Sequence, residues 1–600
     1  MASNKGCRPR GLPEEKESTM IFPDDVVQLV RKCALINAYE HGGKAAQGPV
    51  LGKVIAERPY LRAQVKDLAK LVEEVISEVN RMSLEEIKRE VEEKYLEAVV
   101  RKREVEEKVL PPLPNVDKYE KVVTRFAPNP DAPLHLGSLR PLILSYEYAR
   151  MYKGKFILRF DDTDPKTKKP MPEAYKWIID DMKWLGIEAD EIVYQSDRLE
   201  LYYEVCKELL SKGGAYVCTC SQEGFKVLRD SGKPCPCRAL SPEVHVERFE
   251  DMMSSRYTEK GAVVRIKTDL NHPDSSVRDW VAFRIIDVER NPHPRVGSKY
   301  SVWPTYNFAC AVDDHMLEVS HILRAKEHVT NTIKQRYIFE HMNWRFPETI
   351  HFGRLKLANI ILSKSQISKG IAKGEFQWWD DPRLGTIMAV RRRGILPETL
   401  REIIIHVGVK SSEASLSWEN IYSVNRKYLD PKVNRYFCVL DEVKMVVKGV
   451  GKDFVAKPPL HPDFPERGHR VIRVRAIDDK VEIYVSKRDL KLIEKSPLVR
   501  LMSLFNVQVK EVGEKVIYAI YKGESVEEAS RFKAPIIQWV PVDDNVCIEI
   551  VMPDASIARG LAERHLEKLD VGSIVQLVRV GFVKLDDKSE RKLRFYFAHE

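Results

Sequence analysis

The stretch Lys121-Val-Val-Thr-Arg-Phe-Ala-Pro-Asn-Pro-Asp-Ala-Pro-Leu-His-Leu-Gly-Ser138 decides how this chain folds. Its first six residues are a short, mostly apolar run, which predicts a buried strand. Pro128, Pro130 and Pro133 then stiffen a loop, and Leu136 to Met151 carries a helical pattern. Lys155-Phe-Ile-Leu-Arg-Phe160 predicts a second strand, closed by Asp161-Asp-Thr-Asp-Pro165, and Tyr175 to Leu185 a second helix. Strand–helix–strand–helix implies a parallel sheet with helices on its faces. Ligands of such sheets bind beyond the carboxyl ends of the strands. The His135 and Asp161 loops both fall there.

His135 and Gly137 stand at the predicted helix start, where N–H groups and the macrodipole attract phosphate. Gly137 lets the backbone approach a bulky ligand closely, and His135 can donate a hydrogen bond to a phosphate oxygen. More than two hundred residues later, Ile361-Leu-Ser-Lys-Ser365 sets Lys364 between two serines at the end of an apolar segment. A mobile cation there can follow charge building on a phosphate in transfer. Two distant phosphate-contacting loops predict one ATP site assembled from two half-domains, working without a covalent protein intermediate. Taken alone, His135 reads first as a chance histidine on a surface loop; the second loop, the flanking strands and the spacing overturn that reading.

A length of 600 residues predicts several domains, and 44% hydrophobic residues suit a soluble globular protein. No run of ~18 apolar residues predicts a transmembrane helix. Met1 to Met20 lacks the apolar core of a signal peptide, so a cytoplasmic protein without membrane contact is expected. The net charge of +9 is compatible with a polyanionic partner. Residues 24–110 read as helices, with Ser83 and Glu86 spaced as a capping box. Prolines 111, 112 and 114 mark Leu110–Asp117 as a linker. Residues 209–299 are less regular and interrupt the nucleotide fold, which resumes at Tyr300. Phe376 to about Tyr428 reads as helical and contains Arg391-Arg-Arg393, either a contact to the phosphates of a polyanionic partner or a solvated helix face. From Phe437 the period changes to two, in Val471–Arg475, Val481–Val485, Val516–Ile520, Val546–Ile550 and Lys592–Phe597. Short strands separated by turns predict one or two β-barrels.

Four of the ten cysteines cluster as Cys218-Thr-Cys220 and Cys235-Pro-Cys237. In a cytosolic chain such clusters favour a metal over disulfides, and four thiolates suit tetrahedral Zn²⁺. Ser221–Arg229 reads as a short helix between the pairs. Free buried thiols are the alternative, since the one-residue spacing departs from the common two-residue knuckle.

The two loops resemble the two signatures of class I aminoacyl-tRNA synthetases. Arg125-Phe-Ala-Pro-Asn-Pro130, Leu158-Arg-Phe-Asp-Asp-Thr-Asp-Pro165, Trp303-Pro-Thr-Tyr-Asn-Phe308, Val312-Asp-Asp-His315, Asp381-Pro-Arg-Leu-Gly-Thr386 and Pro397-Glu-Thr-Leu400 are similar to the glutamyl/glutaminyl branch. The barrels and the helical extension are similar to its archaeal type. The resemblance implies a multidomain α/β and β architecture. A helical extension (1–117) precedes a class I Rossmann-like catalytic domain (118–208 and 300–375), which an acceptor-binding insertion (209–299) splits. A helical connector (376–435) and β-barrel anticodon-binding domains (436–600) complete it. It further implies a monomeric glutamate–tRNA ligase acting on tRNA(Glu), with tRNA(Gln) as a further candidate, and on ATP with its Mg²⁺. Rival readings are the glutamine enzyme and a catalytically inactive tRNA-binding paralogue.

The resemblance also assigns residues. His135, Gly137 and Lys364 are the catalytic set. Pro128, Leu134, Ser138, Arg354, Leu355, Ser363 and Ser365 join them around ATP. Arg125, Ala127, Asn129, Asp161, Tyr306, Cys310 and Arg324 form the amino-acid pocket, with Asp161 on the α-ammonium group and Arg324 on the side-chain carboxylate. Glutaminyl relatives lack an arginine at the latter position. An arginine fork matches a carboxylate, whereas a neutral amide leaves it poorly compensated. Asn129 and Cys310 replace the serine and asparagine common in bacterial relatives, and Ser365 and Gln366 replace basic residues after the lysine.

Overall fold

A computed structural model of the protein describes residues 22–40, 43–95, 110–358, 360–589 and 592–600. Met1 to Met20, Cys7 and the 96–109 part of the predicted helical region lie outside them. The chain divides into two compact units, one up to Val109 and one from Leu110.

In the first unit, helices Asp24–Glu40, Gln47–Glu57, Val65–Val79 and Leu84–Lys94 enclose a core that includes Val30, Val54, Leu68, Val72 and Ile87. The capping box forms as expected: Glu86 N donates to Ser83 Oγ at 3.2 Å and Ser83 N to Glu86 Oε2 at 2.8 Å.

The linker expectation fails. Leu110 and Leu113 are buried in the core of the second unit. Pro111 O accepts from Tyr148 Oη at 2.9 Å and Pro114 O from His321 Nε2 at 2.8 Å. Burial of Leu110 and Leu113 ties this proline-rich stretch to the second unit, and the boundary lies before Leu110.

The nucleotide fold is a parallel sheet. Strand Val123–Phe126 pairs with Lys155–Phe160, and that with Glu191–Tyr194. On its other side Ser320 ties the start of Val123–Phe126 to strand His321–Ala325: Ser320 N donates to Val123 O at 3.0 Å and Val123 N to Ser320 Oγ at 2.8 Å. His321–Ala325 pairs with Glu348–Phe352. The strand order therefore reverses beside Val123–Phe126, and such switch points are where ligands bind.

Between the halves runs an antiparallel meander of strands Ala215–Cys218, Val263–Ile266, Val281–Ile285 and Val302–Pro304. It ends at Pro304, beyond the expected 299, because Trp303 and Val302 complete its core together with helix Leu199–Ser211. In the connector, Phe376–Thr386 is not helical: Asp381 caps turns by accepting from Gln377 N and Arg383 N, and Pro382 and Gly385 break the period. Helices Ile387–Arg392, Pro397–Val407 and Trp418–Leu429 follow.

Two of the three arginines are committed to the protein itself and form no free face. Arg392 pairs with Asp380 and Asp586 at 3.0 and 2.8 Å. Arg393 is 1% exposed and donates to Ala598 O at 3.1 Å and Tyr422 Oη at 2.6 Å. Lys584 Nζ donates to Arg391 O at 2.9 Å. The run bolts the connector to the C-terminal sheet.

That region holds two seven-stranded sheets, each with its own apolar core. They are nested. Arg435–Tyr436 and Cys438–Leu440 join one sheet, the chain leaves to build the other between Glu442 and Pro541, and Asn545–His599 returns to finish the first. The predicted strands form within one or two residues. Ile557–Glu563 carried no clean alternation because of Gly560, which is required: a Cβ there would lie 2.0 Å from Val439 O.

Candidate active site at the sheet switch point

At the carboxyl ends of Val123–Phe126 and His321–Ala325 lies a cavity of about 1160 Å³. Of the expected residues, Arg125, Ala127, Pro128, Asn129, Leu134, His135, Gly137, Ser138, Asp161, Tyr306, Arg324, Arg354, Leu355, Ser363 and Lys364 line it. Ser365 and Cys310 do not. Ser365 is exposed on helix Lys364–Ala372, its Oγ 3.3 Å from Ser363 Oγ. Cys310 is fully buried on helix Tyr306–Met316, and its Sγ donates to Asp161 Oδ2 at 3.1 Å. It supports Asp161 from behind instead of forming wall, since it points into the packed side of its helix.

The His135 loop is stitched on three sides. Leu136 N donates to Gly385 O at 2.9 Å, Ile387 N to Leu134 O at 2.9 Å, and Leu134 N to Asp181 Oδ2 at 3.3 Å. Two of the N–H groups expected to attract phosphate are therefore engaged, those of Leu136 and, through His135 O, Ser138. Gly137 is needed on steric grounds: a Cβ would lie 3.0 Å from two atoms of the His135 ring. Burial, reinforced by the Lys364 cation, lowers the His135 pKa to about 4. The imidazole is neutral at pH 7, and its buried Nδ1 has no hydrogen-bond partner. Lys364 opens a helix that Ser363 caps. Its Nζ donates to Asp131 Oδ1 at 2.5 Å and Asn129 O at 3.3 Å.

Beneath the other end of the cavity is a buried charge network. Arg159, wholly covered, donates to Asp161 Oδ1 and Asp314 Oδ1, each at 2.7 Å. Arg125 pairs with both oxygens of Asp314 at 3.1 and 3.2 Å. Arg125 and Arg159 overcome the burial penalty on Asp314 and hold its pKa down at about 2. Asp313 accepts from Tyr202 Oη at 2.7 Å, Arg198 Nε at 2.8 Å and Gln195 Nε2 at 3.1 Å. Burial raises the pKa of Asp161, with Arg159 opposing.

Arg324 differs from these. It is 5% exposed, and Nη1 donates to Gln335 Oε1 at 2.9 Å. Its Nε and Nη2 are buried without a partner, and burial lowers its pKa. Unpaired buried donors on a cavity wall are costly to the empty protein; they fit an anionic group supplied from outside.

Sequence reasoning missed roles for Arg159, Asp314 and Asp131. Asp314 lies in a motif already singled out, but only the fold brings its helix under the strand bearing Arg159. The four clustered cysteine Sγ atoms lie within 4.8 Å of one another.

Comparison with known proteins agrees with this geometry. The family of class I tRNA synthetases (E and Q) matches through its catalytic domain over residues 121–431, and through its anticodon-binding domains over 433–522 and 536–586. The glutamate–tRNA ligase of Pyrococcus abyssi is 52% identical over 96% of this chain and all of that protein. That of Pyrococcus furiosus is 50% identical with the same coverage, and that of Hyperthermus butylicus 48% identical over 94% of this chain and all of that protein. With its signature loops meeting across one cavity and both parts of the family matched along its length, the chain belongs to the class I tRNA synthetases of the glutamate and glutamine (E and Q) branch.

Proposed function

We propose that the protein is a glutamate–tRNA ligase. The observation that carries the choice of amino acid is the Arg324 guanidinium, buried at the cavity wall with two N–H groups unpaired. A glutamate side-chain carboxylate accepts from both; a glutamine amide would set a donor against a donor.

In this reading glutamate lies along the charge network, with its α-ammonium group at Asp161, which Arg159 and Cys310 hold in place. The glutamate α-carboxylate attacks the α-phosphorus of ATP, the bond to the bridging oxygen breaks, and pyrophosphate leaves. Neutral His135 donates one hydrogen bond to a phosphate oxygen, and Lys364 follows the charge on the departing pyrophosphate. A hydroxyl of the tRNA 3′-terminal ribose then attacks the glutamyl carbonyl, its proton is lost, and AMP departs. ATP enters with Mg²⁺ as its substrate complex. The C-terminal sheets read the anticodon, and the insertion meets the acceptor end.

Zn²⁺ fits the cysteine cluster. A tetrahedron with metal–sulfur distances of ~2.3 Å has edges of about 3.8 Å. The Sγ separations for Cys218–Cys235, Cys220–Cys235 and Cys220–Cys237 are 3.5, 3.3 and 4.0 Å. Bound there, the ion would fasten strand Ala215–Cys218 to the Cys235–Cys237 turn, a purely structural service.

Charging purified tRNA(Glu) and tRNA(Gln) with labelled glutamate and with labelled glutamine tests the assignment. Glutamate is expected on tRNA(Glu). Charging with glutamine alone overturns the reading, and glutamate on tRNA(Gln) as well extends it.

A further inference from the structure

Lys364 is held by a residue outside the cavity wall. Asp131, on the loop leading to His135, reaches its ammonium group from behind at 2.5 Å, with side chains 30% and 25% exposed for lysine and aspartate. Lys364 is the first residue of helix Lys364–Ala372, at the positive end of the helix macrodipole, where a cation is disfavoured. It needs a nearby anion, and Asp131 supplies one. A triphosphate brings the same kind of charged acceptor with more oxygens. The ammonium group cannot point fully at both, because Asp131 approaches from the loop side and the nucleotide from the cavity.

We infer that Asp131 is a positioning residue that competes with the triphosphate for Lys364, keeping the ammonium group at the rim of the empty cavity and yielding it when nucleotide enters. This rests on the reading of the cavity as the ATP site. Asp131 thereby makes ATP binding weaker than the cavity alone would allow, and keeps the lysine free to move during the reaction.

The test is equilibrium binding of ATP and of adenosine to the full chain and to Asp131→Asn, which keeps size and removes charge. An ion pair this accessible is worth about two- to five-fold in affinity. ATP is expected to bind about two- to five-fold more tightly to the variant, with adenosine binding unchanged. In a Lys364→Ala background the gain for ATP is expected to vanish. Unchanged or weaker ATP binding by D131N, or an equal shift for ATP and adenosine, overturns the proposal alone. Failure of the unmodified chain to bind ATP overturns the reading of the cavity and the proposal together.

Discussion

Replacing Arg324 by methionine separates a binding role from a structural one. The side chain keeps an unbranched apolar stem as far as the arginine Nε position and loses the guanidinium and its charge. The arginine has one protein partner, Gln335 Oε1 at 2.9 Å, while Nε and Nη2 have none. If those two groups bind the glutamate carboxylate, the variant loses two charge-assisted hydrogen bonds of about 1.5–3 kcal/mol each. The loss of about 3–6 kcal/mol corresponds to a fall of roughly 10²–10⁴ in kcat/KM for glutamate. Stability moves the other way. The empty protein no longer buries a partly unpaired guanidinium, so Tm is expected to stay level or rise. Steady-state ATP–pyrophosphate exchange with glutamate and tRNA, run beside a thermal melt, reads both. A fall of less than ten-fold would refute the assignment. A loss of activity tracking a loss of Tm would do so as well, since it would make Arg324 a structural residue.

Gly137→Ala places a methyl group 3.0 Å from the His135 ring, so ATP–pyrophosphate exchange is expected to fall about ten-fold or more with little change in Tm. The His135 pKa of about 4 means that no proton joins the ring between pH 7.5 and 5.5, and histidine NMR should show it silent there. Because Lys364 repels a second cation, Lys364→Ala should raise that pKa, though not to an ordinary 6.5, since burial is the larger cause. Arg393→Ala leaves Ala598 O without its 3.1 Å donor at a buried junction; melting of the C-terminal region is expected several degrees lower, about 1–3 kcal/mol less stable. For the proposed zinc site, elemental analysis is expected to give about one zinc per chain and less for Cys235→Ser; no zinc in the unmodified protein overturns that site.

The first half of the catalytic sheet was legible because its first two strands are short, mostly apolar runs that end at polar or proline-rich loops. The family resemblance named Arg125, Asp161, Tyr306 and Arg324, and all four line the cavity. The charge network was not legible. An arginine in Lys155–Phe160 reads as an exposed strand position until helix Tyr306–Met316 brings Asp314 within 2.7 Å. Cys310 fell in the right register but on the wrong side of its helix. Arg391–Arg393 misled for a related reason: a run of like charges gives no hint of carboxylates and carbonyls nearly two hundred residues later. Leu110–Asp117 misled because proline density outweighed two leucines whose burial decides the boundary.

The nested sheets have a consequence for how this chain can be rebuilt. Cys438 and Val546 both pair with Ala562, one on each side of it. Two strand spacings of ~4.8 Å put Cys438 and Val546 about 10 Å apart, with Ile557–Glu563 between them. Leu440 faces Gly560 and Asn545 faces Glu563, so a linker between them must run back along the strands and cross Ile557–Glu563, which takes about a dozen residues. The segment between them is topologically a single long loop. Its removal would take Arg470 from buried Glu563 and Asp489 from Arg579, each paired at 2.7 Å, so an exchanged segment has to bring those two partners with it.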